Sequence, residues 1–228
     1  MALDSKIKAV LWDLDDTLYS RVEAARLTFR KMLRDLFYKD RSDEFYVEAA
    51  DLMISKRARN AMINDEVFAS LLDAFPTDKP FDKSAAVDYY FNHIAENAVP
   101  FPEPISVIKA LRERGIKNAI VTNISEQRLC SQRAKINALG IAPLFDAIVY
   151  SGEIGVHKPD PRIFEYAASL LGVTPSECLF VGDDPTSDVA GALAAGMEVV
   201  WVDRYEDEDG LAAQSGVHRV SCVRDYFD

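Results

Sequence analysis

The chain has 228 residues, 49% of them hydrophobic, enough for a buried core in one large or two small domains. Its formal net charge of −11 and pI near 4.8 argue against a nucleic-acid polymer or an anionic membrane surface as partner. A small anionic substrate stays open, because a metal ion or a lysine inverts the field locally inside a cleft. Met1 to Lys8 lacks the apolar core of a signal peptide, and the apolar runs are too short to span a bilayer. Three dispersed cysteines, Cys130, Cys178 and Cys222, form no metal-type cluster and suit a reducing compartment. The expectation is a soluble, cytoplasmic protein.

In chain order, Ile7 to Trp12 is predicted as a strand that ends at Asp13-Leu14-Asp15-Asp16. A helical block follows. Val22, Ala25, Phe29, Met32 or Leu33, and Leu36 recur at helical spacing, and Asp43 to Arg59, Asp65 to Phe75 and Lys83 to Ala98 predict three more helices. Prolines at 76, 80, 100, 102 and 104 punctuate the end of the block. Strand–helix alternation then begins. Predicted helices are Ile105 to Arg114, Ser125 to Leu139, Pro161 to Leu171 and Asp188 to Ala195, each followed by a glycine that tolerates the left-handed backbone of a helix end. Predicted strands are Ile116 to Val121, Ala147 to Tyr150, Cys178 to Val181, Glu198 to Val202 and Val217 to Val223. Such alternation implies right-handed crossovers and a parallel sheet. The fold class expected is α/β, a Rossmann-like parallel sheet at 1–18 and 102–228, with a helical domain inserted at 19–101.

Ligands of open parallel sheets bind outside the carboxyl ends of the strands. The polar residues there are Asp13, Asp15 and Thr17; Thr122 and Asn123; Lys158; and Asp183 and Asp184. Carboxylates gathered at one rim repel each other unless a cation sits among them, and Mg²⁺, with its preference for oxygen ligands and substrate phosphate, is the natural candidate. A lysine and a threonine hydroxyl beside them supply the charge and hydrogen bonds that hold a phosphoryl group.

Asp13-Leu14-Asp15-Asp16-Thr17, the strand ending at Thr122-Asn123, Lys158 before Pro159, and Gly182-Asp183 with Asp188 resemble, in order, the four motifs of the haloacid dehalogenase superfamily. The helical block is similar to that family's C1 cap. The resemblance implies a phosphatase with Asp13 as covalent nucleophile and Asp15 as acid and base. It implies a phosphate contact from Thr122, with Lys158 orienting Asp13 and offsetting charge. Asn123 is read two ways, as a helix cap or as a phosphate contact. Mg²⁺ is implied to be held by Asp13, by the Asp15 main-chain carbonyl and by Asp183, with Asp188 or Asp184 in support; the spacing favours Asp188. The substrate expected is a small phosphorylated metabolite, with Tyr19 and Gly152 to Pro159 similar to nucleotidase-like members and so to nucleoside monophosphates.

Within the superfamily, dehalogenation needs neither Mg²⁺ nor Asp15, and a phosphosugar mutase would release no net phosphate. A phospho-accepting receiver domain is disfavoured, since its acceptor lies remote in sequence from its acidic pair. In the helical block, Lys56, Arg57 and Arg59 are read either as a solvated face or as substrate contacts, and Arg21 likewise. Phe101 is read as packing or as lining the entrance. His93, His157 and His218 are read as structural, and Glu206 to Asp209 as a solvated loop.

Overall fold

Six short strands align in parallel in the order β3-β2-β1-β4-β5-β6. They are β1 Ala9–Trp12, β2 Lys117–Thr122, β3 Ala147–Tyr150, β4 Cys178–Gly182, β5 Glu198–Val202 and β6 Val217–Val220. The computed structural model describes residues 3–56, 64–77, 80–204 and 215–227. Its backbone divides into two compact units, Met1–Ser20 with Pro100–Asp228, and Arg21–Val99.

The sheet unit is a Rossmann-like α/β fold. Its strands are apolar on both faces: Val10, Leu11, Val121, Phe180, Val199 and Trp201 are all fully buried. A parallel sheet covered by helices requires this pattern. The chain runs outward from β1 through β2 to β3, then crosses to β4 on the other side of β1. Strand order therefore reverses between β1 and β4, where open α/β sheets form a ligand crevice. The register sets Trp12 beside both Ile120 and Val181, so the residues that follow these strands emerge at one edge.

The helices of this unit are α5 Pro102–Glu113, α6 Leu129–Ala138, α7 Ser151–Ile154, α8 Pro161–Leu171, α9 Ala190–Ala194 and α10 Arg224–Phe227. Helix α5 starts three residues earlier than predicted. Pro102 occupies its first turn, where a missing N–H costs nothing. The segment predicted as a helix from Ser125 opens with a 3₁₀ turn, Glu126–Arg128, and a π turn, Pro185–Val189, leads into α9. Helices α7 and α10 were not expected; at four residues each they are too short for a periodic signal.

The second unit contains α1 Arg21–Met32, α2 Asp43–Ser55, α3 Asp65–Ala74 and α4 Lys83–His93. Side chains cap three of these starts: Ser42 accepts from Phe45 N–H, Asn64 from Val67 N–H and Asp82 from Ala85 N–H. Aromatic pairs tie the unit together, with Phe29–Tyr90 and Phe45–Phe75 ring centroids 5.3 and 5.1 Å apart. Among the described residues no helix is long and apolar enough to cross a membrane.

Candidate active site

Asp13 follows β1 directly, and its N–H donates to the carbonyl of Val181 on β4, 2.9 Å away. That bond continues the sheet ladder by one residue and leaves the carboxylate at the strand-order reversal. Asp183 follows β4; its carbonyl accepts from Trp201 Nε1 at 3.1 Å, and its carboxylate accepts from Thr17 Oγ1 at 3.3 Å. Asp188 sits in the π turn, buried beside the end of β4. A Cβ on Gly182 would come within 2.7 Å of the Asp188 carboxylate carbon, so the bare backbone of Gly182 makes room for that group.

Asp13, Asp183 and Asp188 each place a carboxylate oxygen within 4.8 Å of the others, and all three residues are buried. Among the described residues this is the one such group of three potential metal ligands. Lys158 Nζ lies 2.6 Å from Asp13 Oδ1 and 2.6 Å from Asp188 Oδ1. Burial, together with the Asp188 and Asp15 charges, pushes the Asp13 carboxyl up to about 7, although Lys158 acts in the opposite sense. Burial also raises Asp188. For Lys158, burial favours the neutral amine, but the two carboxylates outweigh it and hold the ammonium well above its ordinary range. Lys158 thus pairs with two of the three buried carboxylates, and the three together are an oxygen-only donor set of the kind that fits Mg²⁺.

Lys158 is held from two directions. Its N–H donates to Asn123 Oδ1, and its carbonyl accepts from Asn123 Nδ2, both at 2.9 Å. On the next turn, Gly191 lets α9 approach closely: a Cβ there would meet the Pro159 carbonyl at 2.8 Å. The side chain of Asn123 therefore meets the main chain of Lys158, a contact not foreseen for it, while Ser125, not Asn123, stands at the start of the next helical turn. Nearby, Ser151 Oγ accepts from Ile124 N–H and donates to the Ile124 carbonyl, which joins the loops after β2 and β3.

Asp15 points elsewhere than the carboxylate trio. Its Oδ1 accepts from Lys135 Nζ at 2.7 Å and from the Tyr19 hydroxyl, and its Oδ2 accepts from Gln132 Nε2 at 2.8 Å. Asp16 adopts a left-handed backbone, φ 65°, which an aspartate tolerates better than most residues, and its N–H closes a turn on the Tyr19 carbonyl. Thr122, fully buried at the end of β2, has its hydroxyl oxygen 2.6 Å from Gln132 Nε2. Gln132 and Lys135 were not foreseen. The available signal was their place on the helical stripe of Leu129, Ile136 and Leu139, where polar residues are unusual.

Asp184 is a cap. Its carboxylate accepts from Thr186 N–H and Oγ1 and from Ser187 N–H, and these bonds outweigh its burial to leave the carboxyl below its ordinary value. Its own N–H donates to Asp188 Oδ2 at 3.2 Å. Of the other residues singled out, Phe101 packs under the Arg204 guanidinium, His93 bonds Glu96, His157 is exposed, and Lys56 ends α2. Arg57, Arg59 and Glu206 to Asp209 lie outside the described residues.

A parallel-sheet rim carrying three buried carboxylates, a lysine and a threonine hydroxyl defines a hydrolase of the kind that the four motifs resemble. The model of the haloacid dehalogenase-like hydrolases matches residues 7–196, and the chain belongs to that family. It is 36% identical over 207 residues to a glyceraldehyde 3-phosphate phosphatase of Methanopyrus kandleri, covering 89% of this chain and 87% of that protein. To the human N-acylneuraminate-9-phosphatase it is 29% identical, covering 88% and 84%. The HAD-hydrolase YfnB from Bacillus subtilis, solved bound to magnesium, shares the fold with a TM-score of 0.76 at 19% identity, over 97% of each chain. The protein is a phosphatase of this family, a phosphoric monoester hydrolase.

Proposed function

We propose that the chain hydrolyses phosphate monoesters of small metabolites in two steps through a phosphoryl group carried by Asp13, with Mg²⁺ as cofactor. The observation that carries this reading is Lys158 set 2.6 Å from both Asp13 and Asp188, in a buried cluster whose third carboxylate is Asp183. Asp13, Asp183 and Asp188 would hold the metal, with the main-chain carbonyl of Asp15 as a further oxygen. When bound, Mg²⁺ offsets the charge of the carboxylates and of the substrate phosphate.

In the first step an Asp13 carboxylate oxygen attacks phosphorus, the ester P–O bond breaks, and the leaving oxygen takes a proton from Asp15. In the second, water attacks phosphorus and gives a proton to the Asp15 carboxylate. The bond from phosphorus to Asp13 breaks, and inorganic phosphate leaves. Thr122 donates its hydroxyl hydrogen to a phosphate oxygen. Lys158 fixes the Asp13 carboxylate and offsets charge, and Asn123 acts through Lys158.

The two relatives named above support phosphorylated sugars and related small metabolites as the substrate class; nucleoside monophosphates are the second class to test. The helical unit Arg21–Val99 serves as the cap that selects among them, so folded phosphoproteins are poor substrates. Rapid quench with a good ester, followed by mass spectrometry of the peptide containing Asp13, tests the reading. Wild type should carry a phosphoryl group on Asp13, Asp13→Asn should carry none and lose turnover, and EDTA should stop activity until Mg²⁺ is restored. A label mapping to Asp15 or Asp183 would overturn the assignment.

A further inference from the structure

Gln132 and Lys135 stand one turn apart on α6, and both are buried in spite of their polarity. Their donors reach the two oxygens of one carboxylate: Lys135 Nζ to Asp15 Oδ1 at 2.7 Å, and Gln132 Nε2 to Asp15 Oδ2 at 2.8 Å. The same Gln132 nitrogen lies 2.6 Å from Thr122 Oγ1. An amide N–H only donates, so the Thr122 oxygen accepts and its own hydrogen is left to point at another acceptor. The opposite amide orientation would set Gln132 Oε1 against the Asp15 carboxylate, acceptor against acceptor. In the orientation observed, Oε1 is buried with no hydrogen-bond partner, which is costly.

From this geometry we infer that Gln132 and Lys135 are positioning residues for the reaction: they fix the rotamer of Asp15 and turn the Thr122 hydroxyl hydrogen toward the substrate. The inference rests on the two-step reading above, in which Asp15 moves protons and Thr122 meets phosphate. Asp15 must be accommodated in both protonation states. The Tyr19 hydroxyl beside it, a donor and an acceptor, suits both.

The test uses Gln132→Met and Lys135→Met, which keep length and remove the donors, in rapid mixing with 4-nitrophenyl phosphate and with an alkyl phosphate at saturating Mg²⁺. The first step with the good leaving group needs little help from Asp15, so a burst of 4-nitrophenolate of about one equivalent per enzyme should persist. Steady turnover, and phosphoenzyme formation from the alkyl ester, should both fall about 10–100-fold, the range typical of lost supporting hydrogen bonds. Gln132→Met should in addition raise KM for the alkyl ester, whose first step limits turnover so that KM follows substrate binding. Lys135→Arg, which keeps the cation, should lose less than Lys135→Met.

A general structural defect would shrink the 4-nitrophenolate burst together with the steady rates for both esters. That outcome, or unchanged kinetics, overturns the positioning roles. Wild type and Asp15→Asn run alongside as references. If neither carries a phosphoryl group on Asp13, the two-step reading itself fails; if both do while the α6 variants behave like wild type, only the inference fails.

Discussion

The side-chain amide of Asn123 clasps the main chain of Lys158 on both sides, taking its N–H and giving to its carbonyl at 2.9 Å each. The loop after β2 thereby fixes the lysine that faces Asp13. Asn123→Ala should leave the fold intact and lower kcat about 10–100-fold, as losses of supporting hydrogen bonds do. Asn123→Asp keeps the acceptor but sets a carboxylate oxygen against the Lys158 carbonyl, so it should lose at least as much. Steady-state kinetics with one ester checks this. A large KM change with kcat preserved would instead favour direct phosphate binding by Asn123.

Gly182 has no space for a side chain, because its Cβ position lies within 2.7 Å of the Asp188 carboxylate carbon. Gly182→Ala should displace Asp188 from both Lys158 and the carboxylate trio. The expected result is a folded protein that needs at least about tenfold more Mg²⁺ for half-maximal activity. Activity titrated against Mg²⁺, beside a circular-dichroism melt, measures both. An unchanged Mg²⁺ requirement would remove Asp188 from the proposed metal site.

The three thiols should react in a set order. Cys130 is exposed, Cys222 half-buried and Cys178 buried in β4. Burial, with a smaller contribution from Glu177, pushes the Cys178 thiol up to about 12, and its S–H faces the Thr174 carbonyl. At neutral pH a thiol-specific reagent should label Cys130 first and Cys222 more slowly, and should reach Cys178 only after denaturation. Rapid native labelling of Cys178 would contradict the burial of β4.

Much of this architecture is legible in the chain itself, for a physical reason. Buried parallel strands are short apolar runs, so their carboxyl ends announce themselves where polarity returns, at Asp13, Thr122-Asn123 and Asp183. Long-range partnerships leave no such trace. The spacing favours Asp188 over Asp184 but does not show the physical difference between them, which is local: Asp184 accepts from Thr186 and Ser187 as a cap while Asp188 reaches Lys158. Gln132 and Lys135 lie on the apolar stripe of α6, but which carboxylate their donors meet is decided only when the helix packs and buries them. The two-handed contact from Asn123 to Lys158 spans 35 positions and depends on how two loops meet.

The buried cluster also predicts a pH dependence. Without metal, burial and the Asp188 and Asp15 charges push Asp13 up to about 7 against an ordinary 3.8, and Asp188 is raised as well. At a pH between those two values, the folded chain retains a proton that the unfolded chain has released. The stability contributed by this proton is complete below the unfolded value and is lost as pH rises through the folded one. The melting temperature of metal-free wild type should therefore fall, relative to Asp13→Asn, as pH is raised from about 5 to about 8. Asp13 and Asp188 face the same lysine, so the proton belongs to the pair rather than to either residue. Mg²⁺ requires ionised carboxylates, and its binding should expel that proton. Calorimetric titration of Mg²⁺ in two buffers of different ionisation enthalpy should count about one proton released near pH 6 and close to none near pH 8.5. Asp13→Asn should release less at the lower pH. A count of zero for wild type near pH 6, with Mg²⁺ bound, would mean that the trio is already fully ionised at that pH.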